Sequence, residues 1–158
     1  FPCLNPWGLL NNSRCDARGR DLNRGYHRKD VPVIAAQKAL LRGMRFDAAL
    51  MLHEDFDGRG AYIYELPGER PFWGERLLAA AARHIPPEPR ARVEGRRCRQ
   101  GVIRPRAVPA NLPGLPEALF IGTRSRRSLT FETPSEFSVG ARVEAHGAVL
   151  DALAGLVR

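Results

Sequence analysis

The chain has 158 residues, which fits one domain, and no apolar run approaches the ~20 residues that a membrane-spanning helix requires. A hydrophobic content of 44% and a charged content of 27% are typical of a soluble globular protein and exclude a disordered or fibrous chain. The net charge is +8, almost all of it from arginines that are not interleaved with aromatic residues, so we expect neither a nucleic-acid partner nor a membrane partner.

The first thirty residues are rich in Asn, Gly, Asp and Arg and lack hydrophobic periodicity, so they are predicted to be loop-like. A helix is predicted over 31–43. Asp30 is its expected N-cap, Pro32 suits its first turn, and Gly43 is expected to end it.

Two apolar segments follow, at 47–53 and 61–66, and both are predicted to be strands. The sequence from 71 to 85 is typical of a helix, which Pro86 and Pro87 would end. This alternation of helix and strand is the first sign of an α/β fold.

The segment 86–106 contains four prolines and seven arginines, and it is predicted to be a surface excursion outside the sheet. A further strand is predicted over 127–132. After it, TPSE predicts the start of a helix, with Thr133 as N-cap, Pro134 at the first position and Glu136 three positions after the cap.

The last predicted helix covers about 137–157. Apolar residues and one histidine recur there at spacings of three and four and are expected to share one face: Val139, Val143, His146, Leu150, Leu153 and Val157. Together the elements predict a single domain over 1–158, in which helices pack against a sheet.

Two polar side chains end predicted strands, where ligands of α/β proteins bind: His53 and Glu132. His53 is a candidate metal ligand, although a histidine at this position is also consistent with a hydrogen-bonded structural role. Glu132 is a candidate general base or a partner of the dipole of the following helix. The chain contains no His-Glu-x-x-His spacing that would complete a zinc site locally.

The opening stretch NSRCDARGRDLNRGYH offers three candidates for binding an anionic substrate: Arg14, Asn23 and Arg24. Arginine binds carboxylates through two parallel hydrogen bonds, and asparagine adds a neutral donor. Gly19 and Gly25 permit tight turns between them. A solvated basic loop is the alternative.

The three cysteines, Cys3, Cys15 and Cys98, form no Cys-x-x-Cys pair, so neither a zinc knuckle nor a redox motif is indicated. We expect free thiols, with a Cys3–Cys15 disulfide as the alternative. Free thiols are typical of a reducing compartment and slightly favour the cytoplasm, and export stays open.

Four segments, in order, resemble motifs of the zinc carboxypeptidases (the M14 metallocarboxypeptidase family). NPWGLLNNSR resembles the family's Asn-Pro-x-Gly loop, and SRCDARGRDLNRGY resembles its Asp-Leu-Asn-Arg loop. MLHED resembles the strand that ends in the third zinc ligand, and LTFETPS the strand that ends in the catalytic glutamate. The resemblance spans nearly the whole chain and is thinnest over 67–118.

This resemblance implies a mixed β-sheet flanked by helices and a zinc hydrolase that removes the C-terminal residue from a peptide or peptide-like substrate with a free carboxylate. His53 would be a zinc ligand, and Glu132 the general base and acid. Arg14 would stabilise the oxyanion, while Asn23 and Arg24 would bind the terminal carboxylate of the substrate.

The chain also departs from the family pattern. The His-x-x-Glu motif that supplies the other two zinc ligands is absent, so we expect the carboxyl-terminal part of a longer enzyme or a shortened homologue that keeps the carboxylate pocket. Asp16 and Gly25 replace family asparagines, and no tyrosine follows residue 65. An N-acyl amino acid amidohydrolase, similar to the succinylglutamate desuccinylase and aspartoacylase group, is therefore an alternative. A non-catalytic basic binding module is an alternative of another class.

Overall fold

The computed structural model describes residues 3–107 and 116–157. The helices are α1 (Pro6–Leu10), α2 (Pro32–Leu40), α3 (Gly74–Ala81), α4 (Glu117–Gly122) and α5 (Val139–Leu156), with a 3-10 helix at Leu22–Arg24. The strands are β1 (Phe46–Asp55), β2 (Tyr62–Glu65), β3 (Arg92–Val93), β4 (Arg96–Arg97), β5 (Val102–Ile103) and β6 (Ser125–Pro134). Within these described ranges, no helix has the length and apolar character to cross a membrane.

A mixed sheet of four strands, in the order β1-β6-β2-β5, forms the centre of the fold. β1 runs parallel to β6, β2 runs antiparallel to β6, and β5 runs parallel to β2. Helices α3 and α5 cover one face of the sheet, while α2, α4 and the β3–β4 hairpin lie on the other. The predicted α/β fold, a mixed sheet flanked by helices, is confirmed.

Strand β6 is longer than predicted, and this overturns the predicted helix start at TPSE. Thr133 and Pro134 still pair with β1, because the parallel ladder continues to the end of both strands. Helix α5 begins only at Val139, and its N-cap is Ser138, whose hydroxyl accepts a hydrogen bond from the backbone N–H of Ala141 at 3.2 Å.

The buried face of α5 also differs from the prediction. Ala145 and Val149 are fully buried against the sheet and α3, whereas Val139, Val143 and Leu150 are 66%, 61% and 47% exposed. Small side chains at the contact let the helix approach closely. Val139, Val143 and Leu150 of the predicted apolar face therefore lie outside the closest contact, whereas Leu153 is partly buried against the same core.

Helix α2 confirms the helix predicted over 31–43, but its cap was assigned one residue too early. Val31 occupies the N-cap position, and Asp30 instead binds Arg28 through two hydrogen bonds of 2.9 and 2.6 Å. Gly43 lies beyond the helix at a φ of +77°, a conformation that suits glycine at the turn into β1.

Helix α3 is shorter than the predicted 71–85 segment because a distant residue sets its start. The buried carboxylate of Glu65, at the end of β2, accepts hydrogen bonds from the backbone N–H groups of Trp73 at 2.6 Å and Gly74 at 3.2 Å. Arg104 neutralises this carboxylate at 2.6 Å. The cap thus couples the sheet to the helix that covers it.

The segment 86–106 is not a surface excursion, so this prediction was wrong. It supplies the edge strand β5 and a hairpin whose Val93 and Cys98 are buried with Tyr62 and Ile103. Three of its prolines precede β3 and the fourth follows β5, so they remove no hydrogen bond from these strands.

The loop-like opening of the chain is confirmed apart from α1 and the 3-10 helix. All three cysteines have free thiols, so the alternative of a Cys3–Cys15 disulfide is not formed. Burial raises the pKa of the Cys98 thiol.

Candidate active site

Strands β1 and β6 place His53 and Glu132 side by side at the carboxyl end of their parallel ladder. His53 Nδ1 lies 3.4 Å from Glu132 Oε1, and the two side chains are 29% and 12% exposed. Glu132 is separated from the start of α5, so the alternative of a helix-dipole partner is not supported by its position.

Side chains at the end of β1 alternate between the two faces of the sheet. Asp55 lies on the same face as His53, where its Oδ2 accepts a hydrogen bond from the Tyr62 hydroxyl at 2.9 Å. Glu54 lies on the opposite face and pairs with Arg142 of α5. The carboxyl end of β1 is therefore anchored on both faces of the sheet.

Tyr62 connects this anchor to the candidate general base. It lies opposite Glu132 in the antiparallel β2–β6 ladder. Burial, followed by the negative charge of Glu132, raises the pKa of Tyr62 far above its ordinary value. The phenol therefore stays protonated and remains a hydrogen-bond donor to Asp55 at physiological pH.

On the other side of the sheet, the backbone of His53 is supported from α5. Thr133 Oγ1 donates to the carbonyl oxygen of His53 at 3.3 Å and lies 3.1 Å from His146 Nε2. Because the single hydroxyl proton is donated to the carbonyl, His146 Nε2 acts as the donor to Thr133. Burial, then the charge of Arg142, lowers the pKa of His146 and favours this neutral ring.

A cavity of about 170 Å³ opens beside the His53–Glu132 pair. Four of the five residues predicted to form the site contribute to its wall, together with residues of β2, the β3–β4 hairpin and α4. The lining residues relevant to the chemistry are Asn23, Arg24, His53, Tyr64, Glu94, Arg96 and Glu132.

Asn23 holds the Asp-Leu-Asn-Arg loop against the cavity. Its Oδ1 accepts a hydrogen bond from the backbone N–H of Glu117 at 3.1 Å, which caps the start of α4. Arg24 is exposed at the rim, and no carboxylate of residues 3–107 or 116–157 forms an ion pair with it.

Arg14, the fifth predicted residue, lies in an adjoining depression that shares Asn23 and His53 with the cavity. Its Nε donates to Asp21 Oδ2 at 2.7 Å, and its side chain is 65% exposed. The structure thus brings all five predicted residues to one region, with Arg14 at its outer edge.

Three cavity residues were not predicted from the sequence: Tyr64, Glu94 and Arg96. Glu94 and Arg96 were missed because 86–106 was interpreted as a surface segment, whereas Tyr64 was assigned to a predicted strand and was given no role in the site. The sequence carried one usable signal, the glycine at position 95, since glycine is common in two-residue hairpin turns. In the structure Glu94 and Gly95 have φ angles of +47° and +74°, as such a turn requires.

The residues present do not form a complete zinc site. In the described part of the chain, no three His, Cys, Asp or Glu side chains are grouped so that they could hold a metal ion. A catalytic zinc needs about three protein ligands, and of the predicted set this chain contributes only His53. We therefore assign no zinc centre to these residues alone.

No known protein family's sequence profile matches the chain, and no curated protein matches it. Its fold is similar to those of three solved structures, each provisionally described as a metallopeptidase. They come from Shewanella amazonensis SB2B (TM-score 0.76, 21% identity, 98% of this chain and 62% of that one), Shewanella denitrificans OS217 (0.75, 23%, 96% and 58%) and Shewanella baltica OS155 (0.75, 22%, 98% and 61%). At these identities the similarity shows the fold, and the chain spans about three fifths of the length of these proteins.

Proposed function

We propose that this chain forms the general-base and carboxylate-binding part of a metallopeptidase-like hydrolase that removes the C-terminal residue from a peptide or peptide-like substrate. The observation that carries the proposal is the arrangement of Asn23, Arg24, His53 and Glu132 around one cavity, although they come from three separate segments. The similarity in fold to the three Shewanella proteins is consistent with it.

Arg24 and Asn23 bind the terminal carboxylate in this proposal. The guanidinium of Arg24 presents paired N–H groups that match the two oxygens of a carboxylate. Asn23 uses its carbonyl oxygen to cap α4, which leaves its NH2 group to donate to the substrate. Arg14, at the outer edge, supplies positive charge for the oxyanion that forms when water adds to the carbonyl carbon.

Glu132 is the general base. It takes a proton from the water that attacks the scissile carbonyl carbon, and it later delivers that proton to the leaving amine nitrogen. His53, 3.4 Å away, restricts where the carboxylate can point. The pair lies at the strand ends, where a substrate in the cavity can reach it.

The proposed hydrolase would use a zinc ion, but the described residues do not form a complete zinc site. His53 would be one ligand, and the remaining ligands would have to come from residues outside the described part of the chain. When bound, the metal would supply a Lewis acid.

The test uses the protein expressed from the complete reading frame that contains this chain. Release of the C-terminal amino acid is measured on peptides with a free or an amidated C-terminus. Glu132→Gln is expected to lower kcat by at least ~100-fold, the scale of general acid–base catalysis, and to leave metal content unchanged.

Glu136→Gln is the matched control, because Glu136 is exposed and does not line the cavity. It should retain full activity. Turnover retained by Glu132→Gln would remove Glu132 from the mechanism, and equal cleavage of amidated peptides would contradict recognition of a free carboxylate.

A second candidate is an N-acyl amino acid amidohydrolase, and the size of the cavity favours it. About 170 Å³ is small beside the ~300–1,000 Å³ of typical ligand pockets. A higher kcat/KM on N-acetyl amino acids than on tripeptides would select this candidate over the peptidase.

A further inference from the structure

The cavity contains a second guanidinium, Arg96, to which the proposed function gives no role. Arg96 is half-buried on β4 and lines the cavity together with Arg24. Among residues 3–107 and 116–157, no carboxylate forms an ion pair with either arginine. A half-buried cation without a partner, such as Arg96, carries a desolvation cost that an anionic ligand would offset.

The two carboxylates of the cavity, in contrast, already have partners. Glu94 Oε2 accepts a hydrogen bond from the Tyr64 hydroxyl at 2.6 Å. Glu132 lies 3.4 Å from His53. Within the described part of the chain, Arg24 and Arg96 have no such partner, so their guanidinium groups are the charged donors that an anionic ligand in the cavity would contact.

The hairpin that carries Arg96 is held in place by its own packing. Val93 and Cys98, on either side of the turn, are 3% and 5% exposed, and they pack against Tyr62. The Tyr64–Glu94 hydrogen bond adds a polar anchor at the turn. A residue on such a fixed element loses less conformational entropy when it binds a ligand.

The cavity has room for about one amino-acid residue, given its volume of about 170 Å³. Leu66 and Leu119 contribute apolar surface to the same wall. Apolar surroundings strengthen a charge-assisted hydrogen bond because they exclude water.

We propose that Arg96 binds the side-chain carboxylate of an acidic C-terminal residue, so that the cavity selects substrates that end in glutamate or aspartate. The proposal rests on the proposed function, since it assigns the terminal carboxylate to Arg24. Arg96 is then the residue that determines specificity.

Binding of N-acetyl-L-glutamate, N-acetyl-L-glutamine and N-acetyl-L-lysine to the protein expressed from the complete reading frame that contains this chain is measured by NMR titration. The glutamate ligand is expected to bind about tenfold more tightly than the glutamine ligand, the effect of one charge-assisted hydrogen bond partly screened by solvent. Arg96→Gln should reduce this ratio to near one. Arg97→Gln removes the same charge from the exposed neighbouring residue, which does not line the cavity, and should leave the ratio unchanged.

Arg24→Gln separates this inference from the proposed function. It should weaken the glutamate and glutamine ligands by the same factor and preserve their ratio. If Arg24→Gln weakens neither while Arg96→Gln still abolishes the preference, the assignment of the terminal carboxylate fails and acidic recognition by Arg96 stands.

Four outcomes would overturn the proposal. They are the absence of binding of N-acetyl-L-glutamate, a glutamate-to-glutamine ratio near one in the unmodified chain, a ratio unchanged by Arg96→Gln, and tighter binding of N-acetyl-L-lysine. Amide chemical shifts of each variant away from the cavity verify that the fold is retained.

Discussion

Glu88 connects the segment that follows β1 to the base of the β3–β4 hairpin, and removing its charge should destabilise the fold. Its side chain is completely buried. The carboxylate accepts hydrogen bonds from the backbone N–H of Arg59 at 2.8 Å and of Gly60 at 3.3 Å. Arg90 contributes its backbone N–H at 3.0 Å and its guanidinium Nε at 2.7 Å.

The magnitude follows from the pKa of Glu88. Burial by itself would raise this pKa, but the hydrogen bonds from the side chain of Arg90 and from the backbone N–H groups of Arg59 and Arg90 lower it from 4.5 to about 2. That difference corresponds to ~3 kcal/mol of folding free energy. Because the folded-state pKa is the lower one, the contribution is present above pH 4.5 and is lost as the pH falls towards 2.

Glu88→Gln turns one acceptor oxygen into an NH2 group that faces N–H donors, and it leaves Arg90 without its buried counter-charge. We expect a loss of ~3 kcal/mol at pH 7, which for a domain of this size lowers Tm by ~6–12 °C. Thermal unfolding followed by circular dichroism measures it, with Glu136→Gln as a control on an exposed carboxylate.

Measuring the stability of both proteins at acidic pH gives the stricter test of the role of Glu88. Asp16 and Asp30 also have pKa values lowered to about 2 by hydrogen bonds from Arg20 and Arg28. Asp16 and Asp30 titrate in the same way in the wild type and in the Glu88→Gln variant. The readout is therefore the difference in unfolding free energy between these two proteins. That difference should shrink as the pH falls below 4.5. A difference that stays constant into acid, or a Tm change below ~2 °C at pH 7, would refute the reasoning.

Three further substitutions probe contacts around the site. Asn23→Ala removes the side-chain acceptor for the first backbone N–H of α4 and should cost ~1 kcal/mol in urea unfolding. An unchanged midpoint would show that this hydrogen bond does not stabilise the fold. Thr133→Val leaves the His146 Nε2–H without its acceptor and should cost ~1–2 kcal/mol of stability. A substitution of His146 should destabilise the Thr133→Val protein less than it destabilises the wild type, because the two side chains share this contact. Gly60→Ala places a Cβ 2.7 Å from neighbouring backbone atoms and should cost more than ~2 kcal/mol, whereas Gly147→Ala in α5, with no atom within 4 Å, should be neutral or stabilising.

The strands that position the candidate site were predictable because their signal is local. Residues 48–52 form a continuous apolar segment, and within 127–132 the apolar Leu129 and Phe131 alternate with polar residues, so both patterns predict strands. Each ends in a polar residue, and parallel strands bring their carboxyl ends to the same edge of a sheet. The sequence pattern therefore placed His53 and Glu132 at strand ends, and the resemblance to the zinc carboxypeptidases implied a shared site. The structure shows that β1 and β6 are adjacent and parallel.

Other features depend on partners that are distant in the sequence. The start of α3 is set by Glu65, the face of α5 by the close approach of Ala145 to the sheet, and the end of β6 by its pairing with β1. None of these contacts leaves a periodic pattern within the segment that it controls. At such positions, tertiary contacts override the helix and strand propensities of the local sequence.

The cavity residues likewise include some that the sequence identified and one that only the structure revealed. Motif order in the sequence determined which residues to consider: Arg14, Asn23, Arg24, His53 and Glu132. Only the tertiary structure decided that Arg96, from a segment with no apolar periodicity, faces the same cavity. The physical reason is that the hairpin is positioned by a few buried contacts, Val93 and Cys98 against Tyr62, which are long-range in sequence and so have no local signature.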